Sequence, residues 1–175
     1  GLILFLWCQW KYGDKPTLGD WKNGAISGIL MLFCGNGSLT WAEQFIPTGF
    51  AALICATIPI WIMLFQWKHV SGTRPSKATF IGILLGLAGV FLLLEVEKII
   101  AHGSSNEMPM VLSSLLLLGG TMAWAAGSIH SKHSKTSLPL LSFVSLQMLS
   151  GGFALLTAGS LRGEWRLIQI DSVSL

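Results

Sequence analysis

Charge is what this sequence most conspicuously lacks. Charged residues make up 11 % of its 175 positions, against about 25 % in soluble globular domains. Apolar residues account for 52 %. A soluble fold puts most of its charge outside, and this chain has too little to cover its own surface. The shortage excludes an ordinary cytosolic enzyme, a nucleic-acid binder and a disordered segment. The chain belongs in lipid.

Other absences narrow the reading. Cysteine occurs three times, as Cys8, Cys34 and Cys55, each within an apolar run and never as Cys-x-x-Cys. These are small packing residues, not a disulfide framework or a metal site. There is no Gly-x-Ser-x-Gly, no His-Glu-x-x-His and no phosphate loop, so the expectation is a non-enzyme without catalytic residues, cofactor or bound metal. The opening run Gly1–Trp10 lacks the basic start of a signal peptide and is too short to cross about 30 Å of hydrocarbon. It predicts a chain that begins inside a helix, as a fragment.

What is present is a series of long uncharged stretches: Asn23–Ala42, Gln44–Trp67, Ala78–Leu94, Met108–Ile129 and Thr136–Leu161. Each approaches or exceeds the ~17–25 residues of a spanning helix, and barrel strands of ~9–11 residues are far shorter. Five complete spans are expected after the partial first one, with Glu164–Leu175 beginning a further span. The expected fold is all-α, a polytopic transmembrane bundle with tight connections at Ile46–Gly49, Lys68–Lys77 and His130–Lys135.

Charge sidedness supports that count. If the sides alternate, Lys11, Lys15, Lys22, Lys68, Arg74, Lys77, Lys132 and Lys135 fall on one side, and Lys98, Arg162 and Arg166 on the other. Most acids do the reverse: Glu43, Glu95, Glu97, Glu107, Glu164 and Asp171 oppose Asp14 and Asp20. Basic loops mark the cytoplasmic side, so the net charge of +3 reflects topology and implies no anionic partner. His130 and His133, i and i+3 in a basic loop, fit the same signal better than a metal site.

Polar residues inside spans are costly unless they face protein or water. Asn36, between Gly35 and Gly37, is a candidate to line a site or to bridge helices. Gln147 offers the same two readings. Pro59, in Thr57-Ile58-Pro59, lacks an N–H and should kink its helix, freeing the Cys55 carbonyl. Trp61 and Trp124 lie deeper than the interfacial Trp21, Trp41 and Trp67, where they could line a cavity or pack. Glu43 sits near the outer interface, for solvation or for coupling. Gly82, Gly86 and Gly89 form a small-residue face suited to close helix packing.

These pieces together resemble a known family. The run Gly35-Asn36-Gly37-Ser38-Leu39-Thr40-Trp41-Ala42-Glu43-Gln44 leads through Ile46-Pro47-Thr48-Gly49-Phe50 to Ala56-Thr57-Ile58-Pro59-Ile60-Trp61. It resembles helices three and four of the EamA family, in the drug/metabolite transporter superfamily. Ile81-Gly82 through Gly86-Leu87-Ala88-Gly89-Val90 is similar to helix five. Gly119-Gly120-Thr121-Met122-Ala123-Trp124 is similar to the helix that opens the second repeat, and Gly163-Glu164-Trp165 to the approach to helix eight.

The resemblance implies a ten-helix protein of two inverted five-helix repeats. Residues 1–98 would end the first repeat, with part of helix two and helices three to five. Residues 99–175 would open the second, with helices six and seven and the approach to helix eight. It further implies a permease of the bacterial inner membrane for export or exchange of small metabolites, amino acids or drugs by alternating access. Asn36, Thr57, Pro59, Trp61, Trp124 and Gln147 become the expected substrate-lining set, with Glu43 for proton coupling. Gln147 stands where some relatives carry an acid, which argues against coupling there. Expected partners are a small-molecule substrate, the bilayer and a second copy in a homodimer, but no nucleic acid. The alternative is a non-transporting membrane assembly or sensor subunit, which would need neither a cavity nor Pro59. A membrane enzyme acting on lipid would need clustered acids or histidines that this stretch lacks.

Overall fold

The computed structural model describes residues 1–13, 15–71, 76–93 and 107–164, and all regular structure among them is helical. Helix α1 is Leu2–Tyr12, followed by α2 (Leu18–Gly28), a π-helical stretch π1 (Ile29–Asn36) and α3 (Gly37–Ala42). Next come α4 (Thr48–Cys55), α5 (Ile58–Phe65) and a second π turn, π2 (Gln66–Ser71). The series ends with α6 (Lys77–Leu93), α7 (Glu107–His133) and α8 (Leu140–Leu161). Four stretches are long and apolar enough to cross a membrane: Leu18–Ala42, Thr48–Lys68, Pro109–His133 and Leu140–Leu161. The fold is an all-α polytopic bundle. The expected span Ala78–Leu94 corresponds to α6, whose described apolar part is shorter than those four. Asp14, Arg74, the charges at 95–98, and the tail from 165 with its expected further span lie outside the described residues.

Helix ends depart from the uncharged stretches for local reasons. The first full span starts at Leu18, not Asn23, because Thr17 and Asp20 build a capping box that holds two charged residues in the opening turns. The Asp20 amide donates to Thr17 Oγ1 at 3.2 Å, and the Thr17 amide donates to Asp20 Oδ2 at 2.9 Å. His130–His133, expected in a loop, form the last turn of α7 instead. Basic side chains complement the negative C-terminal end of the helix dipole, and His133 Nδ1 lies 3.0 Å from the Ile129 carbonyl oxygen. The connection is therefore the shorter stretch after His133, closed by Pro139 at the start of α8.

The Pro59 kink is present as a break. Helix α4 ends at Cys55, α5 starts at Ile58, and Ala56–Thr57 form a turn between them. Pro59 has no N–H to give the Cys55 carbonyl. The Thr57 hydroxyl caps the same turn by donating to the Ile54 carbonyl at 2.6 Å, and Trp61 Nε1 donates to Thr57 Oγ1 at 3.2 Å. No feature of the sequence pattern predicts π1. At its end the Gly37 amide reaches the Leu32 carbonyl, an i→i−5 bond, and each such turn inserts a residue and rotates the remainder of the helix by about 100°.

The centre is a three-helix contact of the α2–π1–α3 rod with α7 and α8. Close approach is paid for in glycine. Along α7, which runs antiparallel, a Cβ on Gly127 would lie 2.7 Å from Met31 Cγ, and one on Gly120 would strike Ser38 Oγ. Along α8, which runs parallel, a Cβ on Gly24 would meet Leu146 Cβ at 2.9 Å, one on Gly151 the Gly28 carbonyl at 2.6 Å, and one on Gly28 the Gln147 carbonyl. Gly24-x-x-x-Gly28 is thus a packing face of the kind small residues allow. The expected face of Gly82, Gly86 and Gly89 meets no described atom within 4 Å. On the other flank of α7, α4 and α5 pack, and Ala42, Ile46, Ala51 and Leu117 form a small buried cluster.

Candidate functional site

The two halves of the central contact differ. In the half that carries Lys22, Lys132 and Lys135, glycines bring the α2–π1 rod tightly against both α7 and α8. In the half that carries Glu43 and Glu164 a groove of about 990 Å³ opens between α3, α7 and α8, a size that suits a small molecule. The divergence is visible at Gly37, where a Cβ would first meet only the tip of the Leu155 side chain, 3.3 Å away.

One wall of the groove is π1 and α3. Asn36, Thr40 and Gln44 recur every fourth residue and form a polar stripe beside Trp41. The Thr40 hydroxyl donates to the Asn36 backbone carbonyl at 3.0 Å, and Ser38 Oγ donates to the Gly35 backbone carbonyl at 2.8 Å, while Asn36 and Gln44 are exposed residues on the groove wall. The opposite walls are apolar, from Leu115, Leu116 and Ala123 on α7 and Leu155 on α8. Arg162 and Glu164 stand at the mouth. Glu164 is brought back over the end of α8 because Gly163 turns the chain in the left-handed region at φ 71°, with its amide on the Ser160 carbonyl at 3.0 Å. The Glu164 carboxylate then lies against Gly159, where a Cβ would come within 2.9 Å of Oε2.

The residues expected to line one cavity occupy four separate places. Asn36 borders the groove. Trp124 packs edge-on against Gly35, whose Cβ position would be 2.6 Å from Trp124 Cδ1. Gln147 is buried between helices in the basic half and donates from Nε2 to Ser131 Oγ at 2.7 Å. Thr57 and Pro59 sit at the α4–α5 break, and Trp61 below it borders a second recess of about 550 Å³ with Leu64, Phe65 and Lys68. Glu43 is exposed in the turn after α3, next to the groove residue Gln44 but not on its wall.

Sequence reasoning passed over Thr40, Gln44, Arg162 and Glu164 as parts of one site. The signal for the first two was available: polar residues at i, i+4 and i+8 within an apolar span. It also passed over Asp20, which is 3 % exposed. Besides its Thr17 contacts, Asp20 Oδ1 accepts from Thr136 Oγ1 at 2.7 Å, across 116 positions of sequence. The Thr17-x-x-Asp20 spacing announced the cap but not the distant partner.

Comparison with known proteins gives this architecture its family. Residues 1–95 match the EamA-like transporter family. The chain is 31 % identical over 176 aligned residues to the "Uncharacterized inner membrane transporter YedA" of Escherichia coli strain K12, an alignment covering 99 % of this chain and 53 % of that protein. It is 27 % identical to the "Uncharacterized transporter YvbV" of Bacillus subtilis strain 168, over 97 % of this chain and 53 % of that protein. The chain therefore spans about half the length of the curated relatives it matches. No solved structure matches it. With its apolar spans and its family match taken together, this multi-pass inner-membrane chain belongs to the EamA-like transporter family.

Proposed function

We propose that the protein containing this chain is a secondary transporter that exports or exchanges small metabolites, amino acids or drugs by alternating access. The observation that carries the reading is the asymmetry of one three-helix contact, open as a groove at its acidic end and closed by glycine packing at its basic end. Transporters bind substrate between such helices and rock them about the site. Basic loops mark the cytoplasm, so this arrangement is outward-open. The Asn36–Thr40–Gln44 stripe supplies hydrogen bonds in an otherwise apolar groove, Trp41 supplies a flat face, and Arg162 with Glu164 offers one charge of each sign at the entrance. The family match over 1–95 supports the division of the chain into the end of one repeat, 1–98, and the start of the next, 99–175.

The same reading gives the remaining candidates their roles. Pro59, with Thr57 and Trp61, forms a flexible joint in the span beside α7. Trp124 and Gln147 act in helix packing along the path that must loosen when the groove closes. Glu43, in the turn at the groove mouth, is the coupling candidate.

The test expresses the complete reading frame in cells beside an Asn36→Ala variant and compares metabolites inside and outside without preselected candidates. The expected result is a small group of compounds moved outward by the wild type and at least tenfold less by the variant, with equal amounts of both proteins in the membrane. Identical profiles would remove the groove from the transport path.

A further inference from the structure

Asp20 is a buried carboxylate that the groove does not use. It sits in the first turn of α2 at the basic end, at the opposite end of the rod from the groove. Its local needs are already met by Thr17, whose amide donates to Oδ2 at 2.9 Å and whose hydroxyl donates to the same oxygen at 2.7 Å. The other oxygen is committed elsewhere. Oδ1 accepts from Thr136, in the connection between α7 and α8, and Thr136 Oγ1 in turn accepts from the Leu138 amide at 3.1 Å. The second oxygen therefore ties the start of the α2 rod to the turn that carries both other groove helices. A hydrogen bond to a charged acceptor is the stronger kind, and a buried one is not replaced by water at low cost.

We propose that the Asp20–Thr136 contact is the latch that holds the basic end of the bundle shut while the groove is open at the acidic end. The proposal rests on the alternating-access reading above. To reopen on the basic side, α2 must separate from the α7–α8 turn, and this contact must break. Below it, Ser150 Oγ donates to the Gly24 carbonyl of α2 at 3.2 Å as well as to carbonyls of its own helix. Those alternative acceptors let Ser150 release α2 without losing a partner. Gln147 stays with Ser131, on the same side of the separation. Of these polar contacts, Asp20–Thr136 is the one to a charged acceptor that crosses the separation, so its breaking carries the largest share of the cost of opening. Thr136 is a positioning residue of the transport cycle.

A native thiol reports the state of the groove. Cys34 is on the groove wall and half-buried. In the complete protein, Cys34 is kept as the one thiol, with Cys8, Cys55 and any other cysteine outside this chain replaced by Ala. A membrane-impermeant maleimide is applied to whole cells and to inside-out vesicles, and the ratio of the two labelling rates is measured. Wild type is expected to label faster from outside. Thr136→Val should shift the ratio toward inside labelling by about fivefold, the scale of one lost hydrogen bond. Thr136→Ser should restore it. Thr17→Val, which removes the hydroxyl bond to Oδ2 but leaves the Thr136 bond to Oδ1, should shift the ratio much less although it weakens the helix start.

If wild-type Cys34 does not label from outside, the outward-open reading itself fails. If it does, but Thr136→Val reaches the membrane in normal amount with an unchanged ratio, the latch is overturned and the transport reading stands. If Thr17→Val shifts the ratio as much as Thr136→Val, or if Thr136→Val and Thr136→Ala both fail to accumulate, the contact serves folding and the latch is likewise overturned.

Discussion

The basic and acidic halves of the central bundle are made by the same three helices and solve opposite problems. In the basic half the helices meet through Gly24, Gly28, Gly127 and Gly151, and carbonyl oxygens or Cβ atoms of a neighbour occupy the space a side chain would take. In the acidic half the rod carries Asn36, Thr40, Trp41 and Gln44 instead, and a groove separates it from α8. Lipid gives helices no hydrophobic reason to associate, so closure must come from close packing and interhelical hydrogen bonds. Even in the acidic half Gly120 keeps α7 against Ser38, so it is from α8 alone that the rod parts.

The sharpest way to break that comparison is at Gly28. A methyl group there would collide with the Gln147 carbonyl, which is backbone and cannot rotate aside. Gly28→Ala is expected to destabilise the protein by about 1–3 kcal/mol, the range for overpacking a tight contact, seen as a lower unfolding temperature in detergent. Gly37→Ala, in the open half, would press only on the end of Leu155 and touch the Leu32 carbonyl at ordinary contact distance, and should cost less. Equal losses at the two positions would erase the distinction between the halves.

A smaller effect is expected at Gln147, whose amide bridges α8 to Ser131 on α7 at 2.7 Å. Gln147→Leu should lower stability by about 0.6 kcal/mol, the average for interhelical hydrogen bonds in membrane proteins, without changing which compounds are carried. A change of substrate profile at unchanged protein level would return Gln147 to the groove and contradict its placement between packed helices.

The architecture was largely legible in the sequence, and the angular arrangement was not. Uncharged length located the spans, and Pro59 located a break, because one follows from hydrocarbon thickness and the other from a missing N–H. Depth was also readable: Asn36, Trp61, Trp124 and Gln147 all lie well inside their spans. Facing was not, since residues at similar depth point at different neighbours. Trp124 fits against Gly35 while Asn36, one residue on, borders the groove. π1 adds to the difficulty by rotating everything beyond it, and no residue type announces an i→i−5 turn. Asp20 illustrates a further gap, because its capping role is local and readable while its bond to Thr136 spans 116 positions.

The glycines carry the same lesson to its last and smallest test. Gly82-x-x-x-Gly86 and Gly24-x-x-x-Gly28 have identical spacing, and spacing states only that a neighbour could come close. In the structure one face is filled by α8 and the other meets no described atom within 4 Å. The same substitution should therefore have opposite signs at the two sites. An alanine at an open helical position removes the entropic cost of glycine and meets nothing. Gly82→Ala should stabilise this chain by about 0.5 kcal/mol, a small rise in unfolding temperature where Gly28→Ala gives a fall. A loss at Gly82 as large as that at Gly28 would mean that its face is packed as tightly, and the open flank of α6 would no longer distinguish the two glycine pairs.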